Sequence, residues 1–185
     1  MVFIRDTSSS LQAAVDLVNT LPGLGREDTL QTAEDLATFL EAHPYTGKIT
    51  RLTDELEALQ QSRNRLRELW NVDRENAVPR INEMLRDGAA LPQLVTHDDH
   101  DWHIHGTGDD APLATRILVE SAMAFVDVVR ADEYQRIKVC EADDCDAVFV
   151  DYSRNRSKLY CDIGNCGNRM NVIAYRQRQS HEETD

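Results

Sequence analysis

Residues 140–169 read "CEADDCDAVFVDYSRNRSKLYCDIGNCGNR", and all four cysteines of the chain lie in this stretch. Cys140 and Cys145 form one C-x4-C pair, Cys161 and Cys166 a second, with fifteen residues between the pairs. Two short-spaced pairs on two knuckles can bring four thiolates to about 2.3 Å from one tetrahedral Zn2+. The spacing excludes a redox C-x-x-C. Disulfides are the competing reading, but "MVFIRDTSSS" at the N-terminus lacks the apolar run of a secretory leader. The expected compartment is therefore the cytoplasm, where thiols stay reduced. The expectation is one structural zinc per chain on Cys140, Cys145, Cys161 and Cys166. Asp146 and Gly167, which follow the second cysteine of each pair, both tolerate the left-handed backbone that lets an amide approach sulfur.

Outward from the cysteines, charge is unevenly spread. Between Tyr152 and Gln179, Arg154, Arg156, Lys158, Arg169, Arg176 and Arg178 face the single acid Asp162, a local charge of +5. The chain as a whole carries −13, so the remainder carries −18. An anionic partner such as DNA should therefore meet the C-terminal module and be repelled by the rest. A helix from about Asn165 would place Cys166, Met170, Ile173 and Ala174 on the held face and Arg169 and Arg176 on an outer one. Those arginines either meet DNA or pair with acids of the body. For Arg169 the choice is between stabilising the thiolate cluster and engaging a phosphate. Asn155 is expected to form the turn between the knuckles.

N-terminal to this module the periodicity is helical. Ser8, Ser9 and Ser10 are N-cap candidates for a helix bearing Leu11, Ala14, Val15, Val18 and Leu21, ended by Pro22-Gly23. Further helices are expected over Thr29 to His43, Ile49 to Asn71 and Val78 to Arg86. A long apolar helix follows, with Asp110 and Pro112 near its start. "LPQLVTHDDHDWHIHGTGDD", residues 91–110, reads as a β-hairpin with strands at Gln93 to His97 and Asp101 to His105. His97, His100, His103 and His105, with Asp98, Asp99 and Asp101, suit either a polar hairpin tip or a second metal site. Asn19 and Thr20, at the end of the first helix, suit ligand contact or local backbone capping. The expected fold class is mainly α: a helical domain with a small hairpin over residues 1–133, a four-cysteine module over 134–179 and an acidic tail over 180–185. No stretch is long and apolar enough to span a membrane.

The segment from Cys140 to Arg178 closely resembles the CGNR zinc finger, whose motif stands here as Cys166-Gly167-Asn168-Arg169, with "FVDYSRNRS" as its middle. Tyr160 stands where that family commonly has tryptophan, and Met170-Asn171 where a lysine is usual. "VDLVNT", residues 15–20, resembles the opening of the ABATE domain, a stress-induced transcription regulator domain that accompanies this finger. The resemblance implies zinc binding, DNA contact and a regulatory role. The helical domain would then sense an effector or form a homodimer. A protein-interaction adaptor, or a ligand-binding protein with a purely structural finger, is the alternative. No phosphate loop, nucleophile elbow or H-E-x-x-H is found, and a zinc with four sulfur ligands leaves no position for a catalytic water, so no enzyme is expected.

Overall fold

The computed structural model describes residues 2–97 and 100–182, with side chains for all of these except residues 97, 100, 101 and 180–182. Five helices form the body: α1 (Arg5–Asn19), α2 (Ala33–Ala42), α3 (Leu52–Arg67), α4 (Arg74–Asp87) and α5 (Leu113–Arg130). An antiparallel hairpin, β1 (Gln93–His97) with β2 (His100–His105), separates α4 from α5. A second hairpin, β3 (Ile137–Val139) with β4 (Val148–Val150), and a last helix α6 (Cys166–Glu182) form the cysteine module. The architecture is mainly α, as the periodicity implied. Among the described residues, no helix is long and apolar enough to cross a membrane.

The apolar stripe of α5 makes it the central element, packed against α1, α3 and α4. Leu113, Ile117, Ala122, Phe125 and Val128 of α5 are fully buried with Leu11 and Leu17 of α1, Leu59 and Leu66 of α3, and Ile81 of α4. Several boundaries differ from expectation. α1 starts at Arg5 with Ile4 in the cap position, so Ser8, Ser9 and Ser10 lie inside the helix and cap nothing. Burial of Phe3 and Thr7 outweighs the local preference of serine for a cap. α2 begins four residues after Thr29, because Thr32 and Asp35 form a reciprocal capping box. α4 begins at Arg74, where Asp73 accepts from Asn76 N at 2.9 Å. Pro79 is tolerated inside α4 because it and Glu75, whose carbonyl loses a donor there, are exposed to water. At α5, Pro112 holds the cap position in place of Asp110, and buried Glu55 of α3 accepts from Leu113 N at 3.1 Å.

β4 joins the body to the cysteine module. Its pleat sends Val148 and Val150 into the main core and Phe149 into the cysteine cluster. α1 runs alongside. Near the end of α1, the Asn19 amide donates to Val148 O and accepts from Val148 N, both at 2.9 Å. Asn19 thus serves at Val148 in place of a third strand. Near the start of α1, Tyr152 OH donates to Ser8 O at 3.4 Å. Trp70 Nε1 donates to Phe149 O at 3.2 Å, Arg67 to Asp146 O at 2.7 Å and Arg26 to the Asp146 carboxylate at 3.0 Å.

Candidate metal centre

Two loops converge on the cysteines. Cys140 follows β3, and its N–H donates to Ala147 O at 2.8 Å, closing the first knuckle just beyond the Val139–Val148 pair. In the second knuckle Asn165 adopts a left-handed backbone (φ 51°), and Arg169 N donates to its carbonyl at 3.2 Å as α6 begins. Left-handed geometry therefore falls on Asn165 and, between the knuckles, on Arg156 (φ 56°). It does not fall on Asp146, Gly167 or Asn155, although Asn155 does lie in the turn between the knuckles. Gly167 lies in the first turn of α6, and Asp146 is recruited by Arg26 and Leu24 N of the body.

Cys140, Cys145, Cys161 and Cys166 are all buried, unpaired by disulfides, and their sulfurs all lie within 4.8 Å of one another. The Sγ atoms of Cys145 and Cys161, and of Cys161 and Cys166, are 3.7 Å apart. A regular tetrahedron with metal–sulfur bonds of about 2.3 Å has sulfurs about 3.8 Å apart, whereas a disulfide needs about 2.05 Å. The cluster has the dimensions of a metal site. Burial raises the thiols of Cys140 and Cys145, the latter to about 12. Burial also opposes ionisation of Cys166. Donation from Arg169 and the neighbouring thiols outweighs it and holds Cys166 below the ordinary thiol range.

Arg169 accounts for that asymmetry. Its Nη2 donates to Cys166 Sγ at 3.1 Å, and its guanidinium forms a forked pair with Asp144. Asp144 first, then Cys166, keeps it firmly protonated. The motif arginine is thus aimed at the metal centre. Asp151 organises the loop between the knuckles. It is wholly buried and accepts from Lys138 Nζ at 2.7 Å, Ser153 N at 2.8 Å and Lys158 N at 2.9 Å. Burial pushes its pKa up, but these donors outweigh it and hold the carboxyl at about 2. Arg136, also buried, donates to the carbonyls of Asp151 and Ser153, both at 2.7 Å. Asp151 lies in the "FVDYSRNRS" stretch that resembles the family's middle, whereas Arg136 lies outside every motif.

The six basic candidates divide. Arg169 serves the cluster, Arg156 pairs with Glu133 at 2.9 Å, and Lys158 pairs with Asp162 and lies over the Phe149 ring. Arg154, Arg176 and Arg178 are exposed and, among the described residues, form no ion pair. The held face of α6 is shorter than expected. Met170 packs on the cluster, but Ile173 is 44% exposed, and Val172 and Tyr175 are exposed beside it. Ala174, the last residue expected on that face, is only partly buried. Asn19 and Thr20, which suit ligand contact or local capping, both serve contacts within the fold. Asn19 is used by Val148, while Thr20 Oγ1 donates to Leu17 O at 2.7 Å and accepts from Arg63 at 3.0 Å. In the first hairpin, His103 and His105 share a face with ring nitrogens 3.1 Å apart. Asp98 and Asp99, and the side chains of His97, His100 and Asp101, lie outside the described residues, as do residues 183–185 of the expected tail. Among the described residues, the cysteine cluster is the one group arranged to hold a metal.

Comparison with known families agrees with this geometry. A family model for the CGNR zinc finger matches residues 136–179, and one for ABATE, described as a putative stress-induced transcription regulator, matches residues 11–132. A comparison with curated proteins returns no match. With a cysteine cluster of metal-site dimensions at one end and a matching helical body over most of its length, the chain belongs to the ABATE family and carries a C-terminal CGNR zinc finger.

Proposed function

We propose that this chain is a cytoplasmic, zinc-dependent transcription regulator and not an enzyme. One structural zinc sits on Cys140, Cys145, Cys161 and Cys166, which supply the four soft donors of a closed tetrahedral site. DNA contact runs through Arg154, Arg176 and Arg178. The observation that carries this is the division of the finger's cations: three are consumed by Asp144, Glu133 and Asp162, and these three are left facing water. Guanidinium groups free of carboxylates can exchange condensed counterions for phosphate contacts. The helical domain senses an effector through a groove of about 780 Å3 walled by Leu85, Leu94, Trp102, Ile104 and Met123 around Glu120.

The adaptor reading has its own support. Val172, Ile173 and Tyr175, exposed on the outer half of α6, form a strip suited to a protein partner or a second copy. Titration of a labelled duplex with the metal-loaded chain at two salt concentrations separates the readings. Under the DNA reading, log Kd rises with log salt by about 0.9 per phosphate contact, and Arg176→Ala with Arg178→Ala weakens binding. Absence of binding at low salt refutes DNA contact and leaves the adaptor, whose self-association light scattering would register. Elemental analysis should give one zinc per chain.

A further inference from the structure

A second basic feature lies where the body meets the finger. An open groove of about 740 Å3 is lined by Val2, by Arg5, Ser8, Ser9 and Gln12 of α1, and by Arg136, Tyr152 and Arg154 of the finger. No carboxylate lines it, although the chain carries 33 acids against 20 lysines and arginines. Arg136 is already used by Glu133 and by the carbonyls of Asp151 and Ser153. It fixes the loop from which Arg154 projects. Arg5 and Arg154 are exposed and, among the described residues, have no acidic partner. The serines add an independent observation. Ser8 and Ser9 stand inside a helix that serine disfavours, and they do not cap it. Their hydroxyls are small donors that line the same groove as the two arginines.

We propose that this groove is a docking site for the phosphodiester backbone of nucleic acid, so that α1 of the helical domain is part of the DNA interface. It rests on the DNA reading above and adds Arg5, Ser8 and Ser9 to it. Guanidinium groups and hydroxyls are the donors that contact phosphate oxygens. Two solvent-exposed arginines hold a lone phosphate ion weakly. A strand offers successive phosphates to several cations at once, which raises the effective concentration at each.

The test titrates a labelled duplex with four full-length, metal-loaded variants: Arg5→Ala, Arg154→Ala, Ser9→Asp and the Arg176→Ala/Arg178→Ala pair. Arg5→Ala and Arg154→Ala should each weaken binding roughly tenfold at low salt and lower the salt slope by about 0.9. Ser9→Asp, which sets a negative charge in the groove, should weaken it at least as much. All three sites are surface positions, so unchanged melting temperatures are expected. If the α6 pair loses binding while Arg5→Ala and Ser9→Asp match the wild type, the groove is refuted and the DNA reading stands. If the wild type binds no duplex, both fall. Melting with sodium phosphate in place of chloride at equal ionic strength addresses the other source. Stabilisation by phosphate that Arg5→Ala abolishes, without an effect on duplex binding, would overturn the backbone assignment.

Discussion

Replacing Asn19 by alanine removes both hydrogen bonds that hold β4 against α1. Val148 is fully buried, and on this edge its N–H and C=O meet only the Asn19 amide, each at 2.9 Å. A buried backbone group left without its partner costs about 1 to 3 kcal/mol. Two such groups, partly relieved by entering water, give an expected loss of about 2 to 4 kcal/mol. In a chain of this size that lowers the melting temperature by roughly 5 to 15 °C. Denaturant unfolding followed by circular dichroism would measure the loss. Amide exchange over residues 146–150 would show whether it is centred on β4. Asn19→Asp is the sharper probe. A carboxylate still accepts from Val148 N but opposes Val148 O, so it should be no better than alanine. A loss below about 0.5 kcal/mol for Asn19→Ala, or an aspartate variant as stable as the wild type, would refute the assigned role.

Arg169→Ala should loosen the metal by about 10- to 100-fold, since it removes the donor to Cys166 Sγ and the tie to Asp144; competition with a chromogenic chelator reads this without DNA, and unchanged zinc retention would contradict it. Arg169→Lys should recover part of the charge but lose the fork. Burial, against the pull of Arg116, raises the pKa of Glu120 to about 7. A carboxyl raised in the folded state costs nothing below its unfolded pKa near 4.5, and the cost grows as pH climbs to 7 and is constant above. Glu120→Gln should therefore stabilise the chain by about 2 to 3 kcal/mol at pH 8 and by little at pH 4.5. Equal stability of variant and wild type at pH 8 would show that the groove solvates this carboxylate.

What the sequence reveals depends on how far apart the cooperating residues are. The four thiolates were legible because their pairing is local and tetrahedral zinc demands it. The helices were legible because burial on one face imposes its period on the chain. Local reasoning failed where a distant contact decided. The serines of α1 look like caps, but burial of Phe3 and Thr7 extended the helix past them. The helix expected from Val78 begins at Arg74, because the Asp73 cap sets the start and the bond missing at Pro79 lies on the wet side. Gly167 and Asn155 were reasonable left-handed residues, yet the turns used Asn165 and Arg156, since propensity does not say which residue of a loop turns. Asn19 reads as a cap or a ligand contact, and its use by β4 was not legible because its partner is 129 residues away.

The divided pleat of β4 bears on modularity. A finger cut from the chain at residue 134 would present Val148 and Val150 to water, strip Val148 of its Asn19 amide and leave Phe149 O without the Trp70 indole. Family models mark the finger as a unit of sequence, but the strand at its centre completes itself with side chains from α1 and the turn after α3. Grafting it onto another helical body would need an asparagine and a tryptophan waiting in register, and a chimera lacking them should misfold around its own metal. Packing therefore ties this finger to this body.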